Sequence, residues 1–262
     1  MESTALQEFT DQDHEQFSEQ GYLRLGKVFD QTEALQQRID DIMLGKIPCE
    51  TMQFQLDGAT GEYEKLAPNT PGHKGATLAY RRITGLEQDP LFLTYMQHPL
   101  FRQITRRYIG EDVSIFRAMF MNKPAHQGTK LPWHQDVGKG WGVDTTPTIT
   151  VWTALDDATP ENACMQLVPG SHKLGILNEG HYTSEEDQAK HILPEDIIDL
   201  EAKAGEAILL NNLTLHRSDV NPTDLRRRAL SVAYMDGKTR SLKNGTPYPM
   251  IFGQRALSPE AA

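Results

Sequence analysis

The chain has 262 residues, enough for one large domain or two small ones. Its 36 Asp and Glu against 26 Lys and Arg leave a net charge of −10, which argues against nucleic acid or an anionic membrane as the main partner, since both select basic surfaces. Cys49 and Cys164 stand in no metal-finger or redox spacing, the N-terminus is too acidic for a secretory or transit signal, and no apolar run approaches membrane-spanning length, so a cytoplasmic protein is expected.

In chain order, the first hundred residues read as helices with irregular connections. Thr10 is placed to cap a helix that Gly21 stops. Asp30 and Glu33 have capping-box spacing before a second helix, whose Leu35, Ile39, Ile42 and Met43 share one face and which Gly45 ends. Residues 45 to 80 are rich in Gly, Pro and Thr without a sustained period and read as a long loop or lid. A helical stretch from about 88 to 108 is broken at His98-Pro99. From residue 112 the texture changes. "VSIFRAMFMNK", "TITVWTALDDA", "ACMQLVPGSH", "GEAILLNNLTLH" and "RALSVAYMDG" are short, β-branched or aromatic, and bounded by Gly, Pro and Asn. Strands in series without intervening helices predict an antiparallel sandwich or closed barrel. The chain therefore reads as a single domain over 1–262: a helical and lid part at 1–111, a β core at 112–236 and a tail at 237–262.

The chemistry centres on "PWHQD". His134-Gln135-Asp136 alone carries little information, because a chain with nine histidines produces such a pair by chance. Its placement adds more. Residues i and i+2 of an extended segment point the same way, so His134 and Asp136 can converge on one ion. His216 ends the apolar run "AILLNNLTLH" and can reach into the mouth of a β structure. Two imidazoles and one carboxylate on one face leave open positions, an arrangement suited to non-haem Fe(II) oxygen chemistry. Arg227, eleven residues past His216, shares a strand face with Ala229 and Ser231, and a guanidinium fork suits the far end of a dicarboxylate. Arg226 and Arg228 point the other way and read as a solvated basic face.

The stretches "MFMNKPA", "PWHQD", "VWTALDDATPENACMQLVPGSHKLG" and "LHRSDVNPTDLRRRALS", in that order and spacing, resemble the phytanoyl-CoA dioxygenase family of Fe(II)/2-oxoglutarate oxygenases. The likeness runs from about Arg82 to Met235. It implies a mainly β fold with flanking α, a double-stranded β-helix (jelly-roll, cupin-like) core with N-terminal helices. It also implies His134, Asp136 and His216 as the iron ligands and Arg227 as the partner of the distal 2-oxoglutarate carboxylate, with Ser218 nearby. Met119, Gln135 and Trp152 would line the co-substrate pocket, and Arg82 falls where the family carries a basic residue near the co-substrate. Without the resemblance, Met119 and Trp152 read as core and Ser218 as a turn cap.

Trp141 and Lys139, in the glycine-rich run after the clamp, are expected to border the substrate cavity, while His73, His126 and His181 read as surface residues of polar loops and His172 is given no catalytic role. The implied reaction oxidises a small-molecule metabolite with dioxygen, 2-oxoglutarate going to succinate and carbon dioxide, with ascorbate as a possible reductant in vitro. Asp136 favours hydroxylation over halogenation, in which a small residue replaces the carboxylate. Two other classes share part of the pattern. A cupin-like isomerase or hydrolase using Zn, Mn or Ni would not need Arg227 for a dicarboxylate, and a metal-binding module would show no turnover.

Overall fold

The computed structural model describes residue 6 and residues 8–58, 60–126 and 128–259. Helix α1 (Asp11–Gln20) starts as its local chemistry dictates: the Thr10 hydroxyl accepts from the Asp13 N–H, and the Asp13 carboxylate accepts from the Thr10 N–H, a reciprocal capping box. Gly21, in the left-handed region at φ 76°, ends it and turns the chain into strand β1 (Tyr22–Lys27). Helix α2 (Thr32–Met43) corrects one expectation. Gln31 is its N-cap and no side chain caps it, so the Asp30–Glu33 spacing goes unused. Burial of Leu35, Ile39, Ile42 and Met43 in the core holds this helix instead.

The region expected to be helix and loop contributes four strands: β1, β2 (Gln53–Leu56), β3 (Thr70–Pro71) and β4 (Tyr80–Thr84). Each is six residues or fewer, too short for its alternation to stand out from the sequence. Helices α3 (Pro90–Met96) and α4 (Pro99–Tyr108) break at His98, with proline at the start of each. The core strands follow: β5 (Val113–Lys123), β6 (Leu131–His134), β7 (Ile149–Ala154) and β8 (Met165–Leu167). After helix α5 (Glu185–His191) come β9 (Ile198–Leu200), β10 (Glu206–Asn211), β11 (His216–Ser218), β12 (Arg227–Asp236) and β13 (Met250–Phe252). Strand β13 pairs with β5, so the tail also joins the sheet.

The strands form two antiparallel sheets of jelly-roll type rather than a closed barrel. The larger runs β1-β10-β7-β12-β5-β4-β2-β3, with β13 also on β5; the smaller runs β6-β11-β8-β9. One face of the large sheet, with Val151, Leu209, Leu230 and Val232, packs against Leu35, Ile39, Phe92 and Phe101 of the helices. The other face, with Trp152, Ile208 and Ala229, packs towards Met165 and Leu167 of the small sheet. Central strands are thus covered on both sides, which is why β7 is buried at every position, its two threonines included. No helix among the described residues is long and apolar enough to cross a membrane.

Arg226 and Arg228, expected on a solvated face, instead tie the sheet to α2. Arg228 is buried and grips Asp156 with Nε and Nη2 at 2.8 and 2.7 Å, while its Nη1 reaches Asp40 at 2.9 Å. Arg226 forks onto the same Asp40 at 3.0 and 2.6 Å. Alternation along β12 was read correctly, but the face opposite the cavity is covered by a helix rather than by water.

Candidate active site

The site is built on one strand pair. β11 lies antiparallel to β6 with His216 directly opposite His134, so residues 82 positions apart become cross-strand neighbours with ring centroids 4.0 Å apart. Asp136 follows two residues after His134 and spans both rings: its Oδ1 is 3.9 Å from His134 Nε2 and its Oδ2 is 3.8 Å from His216 Nε2. These separations are too long for hydrogen bonds. Each imidazole is aimed by the carbonyl two residues before it. His134 Nδ1 donates to Pro132 O and His216 Nδ1 donates to Thr214 O, both at 2.8 Å. A carbonyl only accepts, so Nδ1 carries the proton and Nε2 presents a lone pair towards Asp136, which is how proteins orient metal-ligating histidines.

The electrostatics suit a cation. Burial, helped by the neighbouring His216, pushes His134 well below the usual histidine range, so it is neutral and free to donate its lone pair. Burial pushes the Asp136 carboxyl up, but His216, His134 and Arg117 outweigh it and hold the group below the ordinary carboxylate range. Imidazole nitrogens from His134 and His216 beside one ionised carboxylate are a donor set that fits ferrous iron.

A third histidine joins them, against the expectation that it lies on the surface. His181 has φ 82°, donates from Nδ1 to Val137 O at 3.2 Å, and has its ring 4.8 Å from that of His134. One donor atom from each of His134, Asp136 and His181 lies within 4.8 Å of the others. Backbone pairing brings it in: His181 O accepts from Gln135 N, Thr183 N donates to Trp133 O, and Tyr182 bridges to His134. Nothing in the polar segment around residue 181 announces this pairing.

The site opens into a cavity between the sheets, about 770 Å³ of space continuous with solvent at its mouth. Arg227, Ser218, Trp152, Met119 and Arg82 all line it. Arg227 is buried, its Nε has no hydrogen-bond partner, its Cζ lies 6.0 Å from the Trp152 ring centroid, and burial pushes its pKa down to about 10. Arg82 is similar: Nε is unpartnered, and burial, with Arg81 and Arg117 nearby, brings it to about 10. A β-bulge adds Arg81. Gln55 pairs with Arg82 and Leu56 with Tyr80, leaving Arg81 as the extra residue, so two consecutive arginines face the cavity where plain alternation would separate them.

Two expected residues lie elsewhere. Gln135, between the clamp residues, points away from the cavity and uses its whole amide on loops. Nε2 donates to Gly175 O and Leu213 O at 2.8 Å each, and Oε1 accepts from Leu177 N at 2.9 Å. Gln135→Leu is therefore expected to cost about 2–3 kcal/mol in unfolding free energy. Chemical denaturation checks this; unchanged stability with weakened 2-oxoglutarate binding would contradict the placement. Lys139, its side chain 77% exposed, points outwards and pairs with Glu179. Trp141 is not among the residues lining the cavity; it stacks on Phe116 at 4.5 Å, and its ring lies 6.1 Å from that of His181, which does line it.

Residues 17–229 match the family model described as phytanoyl-CoA dioxygenase (PhyH). The chain is 26% identical over 235 residues to a probable phytanoyl-CoA dioxygenase of Caenorhabditis elegans, covering 83% of this chain and 72% of that one. It is also 26% identical over 184 residues to L-proline trans-4-hydroxylase of Streptomyces griseoviridis, covering 60% and 67%. Among solved structures, EctD from S. alaskensis with 2-oxoglutarate and 5-hydroxyectoine superposes with a TM-score of 0.72 at 18% identity, covering 98% of this chain and 88% of that one. The matched family model, carried on a jelly roll, places the protein in the dioxygenase class of oxidoreductases. The chain belongs to the phytanoyl-CoA dioxygenase family.

Proposed function

We propose that this protein is an Fe(II)- and 2-oxoglutarate-dependent dioxygenase that hydroxylates a small-molecule metabolite, 2-oxoglutarate being decarboxylated to succinate and carbon dioxide. One observation carries the reading: His134, Asp136 and His216 share a cavity with the unpaired guanidinium of Arg227. The three donors would hold iron, which when bound supplies the electrons that activate dioxygen. Arg227 forks onto the 5-carboxylate of 2-oxoglutarate and Ser218 donates to it, offsetting the cost of burying that guanidinium. Trp152 and Met119 keep water from the co-substrate. The Pro132 and Thr214 carbonyls keep both Nε2 lone pairs turned to the metal. Likeness to a hydroxylase of L-proline supports a small substrate.

The test is succinate formation from 2-oxoglutarate with Fe(II), ascorbate and a metabolite library. Purified protein that binds neither iron nor 2-oxoglutarate would sink the reading. Arg227→Met should raise the KM for 2-oxoglutarate on the order of a hundredfold, since truncating one partner of a buried charge pair costs about 2–5 kcal/mol, with bound iron retained. An unchanged KM would remove Arg227 from the co-substrate site.

A further inference from the structure

The register of the large sheet separates two ends of the cavity. Arg227 stands opposite Lys123, Ser231 opposite Met119 and Trp152, and Ala233 opposite Arg117 and Thr150. Arg117 thus lies six residues along β5 from the level of Arg227, on the order of 20 Å of strand. A second bulge shapes this end. Ala233 pairs with Arg117 and Tyr234 with Ile115, leaving Phe116 as the extra residue. The bulged Phe116 stacks on Trp141 with the ring planes 6° apart, and the Arg117 guanidinium lies 4.6 Å from the Trp141 centroid and 5.2 Å from that of Phe116. Aromatic faces hold that guanidinium in place, so little freedom is left to lose on binding.

Charge in the cavity is unbalanced. Arg81, Arg82, Arg117, Arg217 and Arg227 line the cavity, Arg217 being held by Gln166 Oε1 and lying over the Trp133 ring, and Asp136 is the only acidic residue among the described ones that does so. Arg117 Nη2 lies 3.7 Å from Asp136 Oδ1, but that carboxylate would be engaged by the metal in the loaded protein. With iron and 2-oxoglutarate bound, the metal and Arg227 are neutralised by Asp136 and the two carboxylates of the co-substrate. The guanidinium beside the metal is then left without an anion of its own.

We propose that the substrate carries a carboxylate that docks on Arg117, with the indole of Trp141 beside it; this rests on the dioxygenase reading and names the substrate class for the same site. A single planar fork matches a singly charged, planar carboxylate. Arg81 and Arg82 add to the positive field without supplying the fork: Arg81 already donates to Gln55 Oε1 and lies over the Tyr63 ring, and Arg82, opposite Met121, stands two residues along β5 from the level of Arg227 and four from Arg117. The Arg117–Trp141 contact also ties the glycine-rich run after the clamp to the binding event, because Trp141 is the residue of that run that packs on the cavity-lining Arg117.

The experiment uses the full chain loaded with Ni(II), which does not turn over, and with saturating 2-oxoglutarate so that Arg227 is occupied. Dissociation constants for benzoate, 3-phenylpropanoate and hexanoate are measured by calorimetry or ligand-observed NMR against the matching carboxamides and phenyl phosphate. Carboxylates should bind at least about tenfold tighter than their amides, the effect of one charge-assisted fork. Arg117→Met should abolish that preference while leaving the 2-oxoglutarate and nickel affinities in place, and Arg117→Lys should restore part of it. Equal binding of acids and amides, no binding of any acid, or preference for the phosphate would overturn the proposal, and the wild-type comparison stands even if the variants fail to fold. A discrimination that survives Arg117→Met would overturn it as well. Wild-type protein that fails to bind 2-oxoglutarate is a different result: it removes the dioxygenase reading and this inference with it.

Discussion

His216→Ala is expected to lower succinate formation on the order of a thousandfold or more, equivalent to about 4 kcal/mol of barrier, with bound iron lost in parallel. The reason is division of labour: a bound iron would supply the hard chemistry, and the part of His134, Asp136 and His216 would be to hold it beside the cavity. His216 and His134 sit on directly paired strands, each fixed by a carbonyl at 2.8 Å, so neither can swing to replace the other. His134→Ala should match His216→Ala. His181→Ala is the informative control, because that imidazole also approaches Asp136 but comes from a loop rather than a paired strand. It should keep most of its iron. Elemental analysis of the three purified variants decides the matter: iron lost from His181→Ala but kept by His216→Ala would replace one ligand by the other.

The largest effect on stability is expected at Arg228. Arg228→Met leaves Asp156 and Asp40 without the guanidinium that binds both, and breaking a buried ion pair from one side costs about 3–5 kcal/mol. In a chain of this size that lowers Tm by roughly 10 °C. Burial alone would depress the Arg228 pKa, yet Asp156 and Asp40 overcome it and hold the group above its usual value, so the charge is firmly present. Arg226→Met is the contrast. Its side chain is 30% exposed, Asp40 keeps Arg228, and the loss should stay near about 1 kcal/mol. Replacing Arg228 and Asp156 together by apolar residues should be milder than the Arg228 change alone, since no unpaired charge then remains between them. Calorimetric unfolding of the four proteins tests this. Arg228→Met within 1 kcal/mol of wild type would mean that the network contributes nothing net.

The elements legible from sequence share one property: their signals are local. The Thr10 cap and the Gly21 stop lie at the two ends of one helix, the proline at residue 99 breaks α3 from α4, and the run from Val113 to Lys123 is the strand itself. Alternation along β12 also placed Arg227 and Arg228 on opposite faces. What was misread depended on the neighbour across the gap. Arg228 looked like a surface charge because the Asp40 that pairs with it sits 188 residues away on α2. Gln135 was placed in the pocket by the family resemblance alone, although its amide serves loops at Gly175 and Leu213.

Residue order and composition by themselves determined a β-rich core, its helical N-terminal start and a clamp of His134 and Asp136, because period, capping and i, i+2 geometry are properties of a few consecutive residues. Tertiary structure alone decided that His216 stands opposite His134, that His181 is pinned beside them, that a bulge turns both Arg81 and Arg82 towards one cavity, and that a second bulge sets Phe116 against Trp141. Those outcomes follow from strand register. Register is settled by burying whole faces of two sheets at once, and no short stretch of the chain contains that information.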